Sequence, residues 1–456
     1  MGIIAHNTHY ALFQTYIKSV FNHRVIVLWR KRSVDTNSRN RDFLMDTFIY
    51  KQDQLFCDDV QLSDIAKNFN TPAYVYSKKA LESNALKYVN SFKGSNNLAC
   101  FSVKSLSNIS VLKILKDIGC GFDVVSGGEM HRALSVGADP KTIIFSGVGK
   151  SSDEIEQGIL NEILSFNVES ASELYRIERI AEDLKMIAPV SIRFNPDIDS
   201  GGHDYITTGR KGDKFGISSI EDIQNLSSYI LNSSHLNMVG LACHIGSQIT
   251  NLDSFKETAQ KTFELADKIS ATGITLDFLD LGGGLGVSYN SNEDPSPEEL
   301  ISCLKDEFKD RKERLILEPG RSISANAGVL LTKVEYIKDE FLIVDAAMND
   351  LLRPSLYKAE HEIWNTNKGV GDKKKMNVVG PICESSDFLG KNIKINAKEG
   401  DILAVRTAGA YGFVMSSNYN SRPRACEVLV ANDQAHLIRK RETLENILEM
   451  ELNAND

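Results

Sequence analysis

The sequence predicts an α/β protein, a (β/α)8 barrel followed by a mostly-β domain, and three observations carry that expectation. From about residue 97, short apolar runs alternate with segments of helical spacing eight times over ~220 residues, the arithmetic of a TIM barrel with its active site at the C-terminal ends of the strands. After Arg321 the helical segments give out and strand-like runs follow one another, which marks a second domain. The chain has 456 residues, 42% apolar and 25% charged, with 10 Pro and 31 Gly, a globular composition too long for one small core. A doubly wound open sheet would share the alternation, so periodicity alone leaves closure open.

Each barrel strand is expected where an apolar run breaks off at a glycine or a polar residue: Leu98–Val103, Phe122–Val125, Ile143–Phe145, Ser165–Val168, Val190–Phe194, Met238–Cys243, Phe278–Leu281 and Leu315–Leu317. Helical spacing fills the intervals at Ile109–Ile118, Gly128–Val136, Glu154–Leu160, Ala171–Leu184, Ile220–Leu231, Phe255–Ala271 and Pro297–Phe308. In the second domain the strands are expected at Val329–Ile337, Phe341–Val344, Val378–Ile382, Ile402–Val405, Ala425–Val430 and Ala435–Ile438, the last two joined by a turn at Ala431-Asn432-Asp433. Arg441–Glu451 reads as a closing helix, and the strand-like Phe48–Phe56 is expected to join the β domain. The expected division is an extension over 1–44, a segment 45–75 contributing to the β domain, a barrel over 76–323 and a β domain over 324–456.

With 52 basic and 61 acidic side chains the net charge is −9, which argues against a general nucleic-acid binder. The seven cysteines are scattered without a CxxC pair, giving neither a disulfide framework nor a zinc spacing and pointing to a reducing cytoplasm. No run approaches the ~18 uninterrupted apolar residues of a membrane helix. Residues 1–44 hold seven basic and two acidic side chains, 7 − 2 = +5, against −9 − 5 = −14 for the rest. That start has the composition of an organellar transit peptide, but Met45 opens a new pattern, and the expectation is a misassigned start.

The strand tips are where catalytic side chains would converge. Lys104 follows the first run; partial desolvation there would lower its pKa and make it a Schiff-base nucleophile, unless it is a surface lysine. His244 follows the sixth, where an imidazole can stack on a planar cofactor or act as an acid or base, with Ser247 placed to donate to an anion. Gly282-Gly283-Gly284-Leu285-Gly286 follows the seventh and would present backbone N–H groups to a phosphate. After the eighth stands Glu318-Pro319-Gly320-Arg321. There a carboxylate could keep a heteroaromatic nitrogen protonated and an arginine could grip phosphate or carboxylate; a plain Glu–Arg ion pair is the alternative. An amine, a ring partner, a phosphate cradle and a pyridinium partner are what a protein supplies to pyridoxal phosphate.

These residues resemble the fold type III (alanine-racemase-like) pyridoxal-phosphate decarboxylases, in particular the branch acting on diaminopimelate. The likeness runs from about Met45 to the C-terminus through Asn195-Pro196-Asp197-Ile198-Asp199, Tyr205-Ile206-Thr207-Thr208-Gly209 and Lys214-Phe215-Gly216-Ile217. It continues through His244-Ile245-Gly246-Ser247-Gln248, the glycine-rich loop, Met348–Pro354, Cys383-Glu384-Ser385-Ser386-Asp387 and Ala408-Gly409-Ala410-Tyr411-Gly412. The resemblance implies that Lys104 binds pyridoxal 5'-phosphate covalently and that His244 stacks on its ring. Glu318 would face the ring nitrogen, and Asp123, Ser247, Gly283, Gly320, Arg321 and Tyr411 would complete the cofactor site. It implies substrate contacts from Arg321, Arg353, Tyr357, Glu384 and Tyr411, with Cys383 as proton donor. It also implies a homodimer in which the Cys383 loop enters the partner's site.

The expected reaction is decarboxylation of meso-2,6-diaminopimelate to L-lysine and carbon dioxide. Both ends of that substrate carry an ammonium and a carboxylate, so the non-reacting end needs partners of both signs, which arginines and Glu384 supply. Ornithine or lysine would leave a buried arginine unpaired; ornithine-specific relatives typically carry an aspartate after the cysteine, where Glu384 stands here. A decarboxylase of another basic amino acid and a non-catalytic regulator that keeps the fold are the alternatives. The lysine strand departs from the familiar pattern at Ser105 and Leu106, where many relatives continue Lys-Ala-Asn.

Overall fold

Eight parallel strands close on themselves in sequence order in the computed structural model: Leu98–Ser102, Gly121–Val124, Ile143–Phe145, Ser165–Val168, Ala188–Arg193, Leu236–Ala242, Phe278–Asp280 and Arg314–Leu317. The last pairs back onto the first through Ile316↔Leu98 and Leu317↔Ala99, so the structure is the barrel and not the open sheet. The structure describes residues 47–199, 208–210, 212–289, 294–369 and 371–454; the expected extension over 1–44 and the 205–207 part of one quoted motif lie outside them.

Strand alternation divides the barrel interior into layers. Cys100, Ile144, Val239, Phe278 and Ile316 form an apolar cluster of their own, separate from the main core beneath the helices. Two residues further along the strands, toward their C-terminal ends, the same face carries Ser102, Ser146, Asp280 and Glu318, all buried. The barrel is thus sealed by apolar side chains at one level and lined with polar ones at the next, where a site has to be.

The helices begin where side chains cap them. Ser126, Ser170 and Ser219 accept from the amides of Glu129, Glu173 and Asp222, and Ser151 and Ser296 form reciprocal boxes with Glu154 and Glu299. One helix of the ring lies outside the sequence expectation. Only the four-residue Arg321–Ser324 follows the eighth strand, and the outer slot is filled by Lys78–Ser91, which precedes the first strand and packs against Ile109–Asp117 and Pro297–Phe308.

The β domain is a nine-stranded sheet. Its central strand Gly328–Lys338 pairs with Ala73–Ser77 and, further along the same edge, with Phe341–Val344, and on its other edge with Ile402–Val405. The hairpin Cys426–Ala431/Gln434–Arg439 extends it, with Asn432 and Asp433 at positive φ as the predicted turn requires. The expected Val378–Ile382 strand runs instead over Lys374–Val379. Strands Ala73–Ser77, Ile363–Asn365 and Phe388–Ile395 add to those expected. Phe48, Leu55 and Cys57, on a hairpin of their own, share a core with Val75, Val329 and Val428.

One buried carboxylate ties the β domain to the turn that carries Lys104. Glu427 accepts from Tyr76 Oη at 2.9 Å, Arg439 Nε at 2.5 Å and Asn108 Nδ2 at 2.9 Å, and Asn108 in turn caps the helix that follows Lys104. The Tyr411 amide donates to the Ser105 carbonyl at 2.9 Å.

Candidate active site

Lys104 sits in a tight turn directly after the first barrel strand. Its Nζ donates to Asp123 Oδ2 at 2.9 Å, and Ser102 Oγ donates to the same oxygen at 2.8 Å; Ser102 and Asp123 are register partners on adjacent strands. Asp123 is fully buried, yet 35% of the Lys104 side chain remains accessible, so the amine opens into the barrel mouth. The departures at Ser105 and Leu106 are accommodated: Ser105 Oγ donates to the Ser102 carbonyl at 2.8 Å and Ser324 Oγ reaches Ser105 Oγ at 3.3 Å, while Leu106 is buried in the main core.

The expected lowering of the Lys104 pKa is not what the site does. Burial pulls the ammonium down, but Asp123 and then Glu318 outweigh it, and the net shift is upward. Asp123 is driven up by burial and brought below the usual carboxylate range by Lys104 and Ser102. Two further carboxyls crowd the centre. Burial pushes Glu318 well above its usual value, with Asp123 and Asp280 adding to the rise, and burial takes Asp280 to about 6. Glu318 Oε1 and Asp280 Oδ2 are both buried with no hydrogen-bond donor. Three carboxyls therefore face one ammonium, and the site has room for a further positive charge.

His244 is held by its backbone and one ring nitrogen. Thr208 Oγ1 donates to its carbonyl at 2.7 Å and the Gly283 amide donates to Nδ1 at 3.1 Å, which places the ring proton on Nε2. Burial, with help from Lys104 and Arg193, pushes its pKa down to about 3, so the imidazole is neutral near neutral pH. The glycine-rich loop is also used differently from expectation. The Gly282 amide donates to Asp280 Oδ1 at 2.8 Å, that of Gly283 to His244 and that of Gly286 to the Ile249 carbonyl at 2.9 Å, so three of the loop's N–H groups are spent inside the protein.

Close packing explains these glycines. Gly282 has φ +68, and a Cβ there would lie 2.6 Å from the Cys243 carbonyl; at Gly283 it would lie 2.0 Å from the Glu318 carbonyl. We expect Gly283→Ala to force the seventh and eighth strand ends apart, destabilising the fold by about 3 kcal/mol or more. A thermal melt within a degree of wild type would contradict this.

Two buried arginines lie against the Tyr289 ring. Arg321 is buried; its Nη1 donates to Tyr289 Oη at 2.5 Å and its Nη2 to Ser247 Oγ at 3.0 Å, and its guanidinium lies 4.8 Å from the centre of the Tyr411 ring. Arg353 opens the short helix Arg353–Tyr357, with its guanidinium 4.4 Å over the Tyr289 ring and its Nη1 bonded to His361 Nε2 at 2.9 Å. Among the described residues neither has an acidic partner, and the Nε of each is buried without an acceptor. Tyr357 is half-buried at the end of that helix. Gly320 packs on Ser102 and Ser105, where a Cβ would approach to 3.0 Å.

Cys383 and Glu384 stand apart from this centre. Both are exposed; the Cys383 amide donates to Asn420 Oδ1 at 3.2 Å and Glu384 Oε1 accepts from Tyr419 Oη. No hydrogen bond or ion pair among the described residues joins either to Lys104, Glu318, Arg321 or Arg353.

The structure adds three residues to those the sequence singles out: Asp280, Tyr289 and His361. Asp280 was within reach, because it ends a barrel strand immediately before the glycine-rich loop. Tyr289 and His361 carry no sequence signal, since their importance lies in what they touch.

A flat aldehyde cofactor with a basic ring nitrogen fits this set. The accessible amine of Lys104 could meet the aldehyde, the undonated Glu318 oxygen a protonated nitrogen, and Ser247 with Arg321 an anion.

Residues 78–325 match the family model described as the pyridoxal-dependent decarboxylase, pyridoxal binding domain. The diaminopimelate decarboxylase of Pseudomonas aeruginosa is 46% identical over 407 residues, 88% of this chain and 98% of that one. The Helicobacter pylori diaminopimelate decarboxylase solved with L-lysine is 41% identical, with a TM-score of 0.83 over 86% of this chain and all of that one (100%). The diaminopimelate decarboxylase solved from m. jannaschi is 36% identical, with a TM-score of 0.85 over 89% of this chain and 97% of its own. A model matched across the barrel, relatives alike over nearly their whole length and a lysine set between carboxylates at the barrel mouth give one assignment: the chain belongs to the pyridoxal-dependent decarboxylases.

Proposed function

We propose that the protein removes carbon dioxide from meso-2,6-diaminopimelate and releases L-lysine, the last step of lysine biosynthesis from diaminopimelate, with pyridoxal 5'-phosphate held by Lys104. The observation that carries this reading is the pair of buried arginines, Arg321 and Arg353, without an acidic partner among the described residues. Two unpaired guanidiniums call for an anion that the substrate brings. A diamine with one carboxylate loses that charge on reaction; diaminopimelate keeps a second. The names of the relatives agree.

When bound, the cofactor supplies an electron-withdrawing ring that stabilises the negative charge left at Cα as carbon dioxide departs. Asp123 Oδ2, 2.9 Å from Lys104 Nζ, holds the amine in place at the barrel mouth. Glu318 would set its undonated oxygen against the ring nitrogen and, ionised by that positive partner, would keep the charge there by Coulomb attraction. His244, neutral and fixed by the Gly283 amide, offers its flat face. Ser247, Gly283, Gly320 and Tyr411 border the phosphate end with Arg321, and Arg353 and Tyr357 bind the substrate's far end. Cys383 returns a proton to Cα and Glu384 meets the far ammonium, both reaching the site of a partner subunit in a homodimer; their exposure supports that arrangement. All seven cysteines are free thiols, which supports a reducing cytoplasm.

The test is carbon dioxide release from diaminopimelate, ornithine, lysine and arginine under one set of conditions. Diaminopimelate is expected to lead by about 100-fold or more in kcat/KM, because the others leave a guanidinium uncompensated; a preference for ornithine would overturn the assignment. Sharing of the site is tested by mixing Lys104→Ala with Cys383→Ala. If both residues serve one site from two chains, re-dimerisation restores about a quarter of wild-type activity, and no recovery sinks the shared site.

A further inference from the structure

We propose that His361 and Tyr289 are positioning residues that hold Arg353 fully charged and aimed at the carboxylate of the substrate's non-reacting end, and so set the enzyme's preference for a dicarboxylic substrate. This rests on the reading of the substrate above.

The hydrogen bonds of His361 fix its tautomer. Nδ1 lies 2.8 Å from the Arg406 carbonyl, which can only accept, and Nε2 lies 2.9 Å from Arg353 Nη1, which can only donate. Nδ1 therefore carries the proton and Nε2 offers its lone pair. Burial, with Arg353 adding to it, pushes the His361 pKa down to about 3, so the ring remains neutral wherever the enzyme works. The Tyr289 ring stands edge-on to His361, 5.1 Å away at 78°, and gives its face to Arg353 at 4.4 Å while its hydroxyl accepts from Arg321. One guanidinium is thus held by a neutral acceptor and a ring face, neither of which cancels its charge.

An aspartate or glutamate at either place would satisfy the same N–H group and also neutralise the cation, leaving nothing to attract a carboxylate. The mount is rigid as well. His361 precedes strand Ile363–Asn365 and Arg406 follows strand Ile402–Val405, and these strands pair through Ile363↔Val405. The ladder sets the distance between the histidine and the carbonyl that orients it.

The experiment compares holoenzyme carrying His361→Leu, His361→Gln or Tyr289→Leu with wild type. It reads kcat and KM for diaminopimelate, and calorimetric affinity for L-lysine, which keeps a carboxylate, and for cadaverine, which has none. Leaving a buried charged donor without its acceptor should raise KM and the L-lysine Kd of His361→Leu about 10- to 100-fold, with kcat falling far less. Cadaverine binding should move by less than about twofold. Glutamine, whose side-chain oxygen can stand in for Nε2, should recover most of the lost L-lysine affinity, and Tyr289→Leu should repeat the leucine pattern if His361→Leu fails to fold. Unchanged L-lysine affinity in both leucine variants, an equal loss for cadaverine, or no recovery with glutamine would each refute the mount. Wild type that fails to release carbon dioxide from diaminopimelate would refute the substrate reading instead, so the two failures are distinct.

Discussion

Lys104→Arg is expected to cut carbon dioxide release from diaminopimelate by about four orders of magnitude or more while leaving the protein folded. Arginine keeps the positive charge that Asp123 meets at 2.9 Å, so the carboxyl cluster does not lose its one cation. A guanidinium cannot shed its proton at any working pH, so it cannot form the covalent bond that a lysine amine forms with an aldehyde. The two properties of Lys104, its charge and its nucleophilicity, are thereby separated. Borohydride reduction of cofactor-loaded protein gives the direct readout: a stable adduct on Lys104 in wild type, none at this position in the variant. A variant whose kcat stays within tenfold of wild type, with a normal melt, would remove Lys104 from the chemistry.

The barrel is legible in the sequence because its strands are buried on both faces and read as unbroken apolar runs. Ile143–Phe145 and Ser165–Val168 coincide with their predicted bounds to the residue. Helices opened by a serine cap and a glutamate three residues on are legible for an equally local reason. Lys78–Ser91 is not. Its buried face is Ala80, Leu81, Ala85 and Tyr88, mostly small side chains among polar ones, and its role follows from the missing helix after the eighth strand. Ala73–Ser77 is likewise hidden: five buried residues abut that helix without a turn, and its partners Val329 and Val428 lie far along the chain.

The site divides on the same line. Lys104, His244 and Glu318 are legible because strand ends are places of known orientation in a barrel. The direction of the Lys104 shift is not legible from one strand, because it is the sum of burial and of carboxyls on the neighbouring strands. Tyr289 and His361 acquire meaning only when the β domain brings His361 to Arg353 and the loop after the seventh strand brings Tyr289 between the two arginines. Cys383 and Glu384, read as site residues from resemblance, lie on the surface of this chain.

Glu318→Gln should make the cofactor-free protein more stable and the enzyme far slower. Glu318 and Asp280 each bury an oxygen without a donor, and both have pKa values raised by burial, Asp280 to about 6 and Glu318 well above its usual value. In the unfolded chain such groups ionise near pH 4. The folded state therefore holds protons that the unfolded state has released, and their contribution to stability is full below about pH 4 and lost as pH rises through the folded values. Asp123 has the opposite displacement and works against this trend, but it is one group against two. A glutamine at 318 needs no bound proton to stay neutral and can donate to the oxygen that lacks a partner. The melting temperature of the cofactor-free variant should accordingly exceed that of wild type by a margin that widens between pH 5 and pH 8. Catalysis should move the other way, because a neutral amide no longer holds a positive charge on the ring nitrogen as negative charge develops at Cα. Loss of one such preorganised electrostatic contact is worth about 10²- to 10³-fold in kcat. A variant that gains stability and keeps its kcat would make Glu318 a buried structural acid and nothing more. A variant that loses both would place its carboxylate in an ion pair that the folded protein needs.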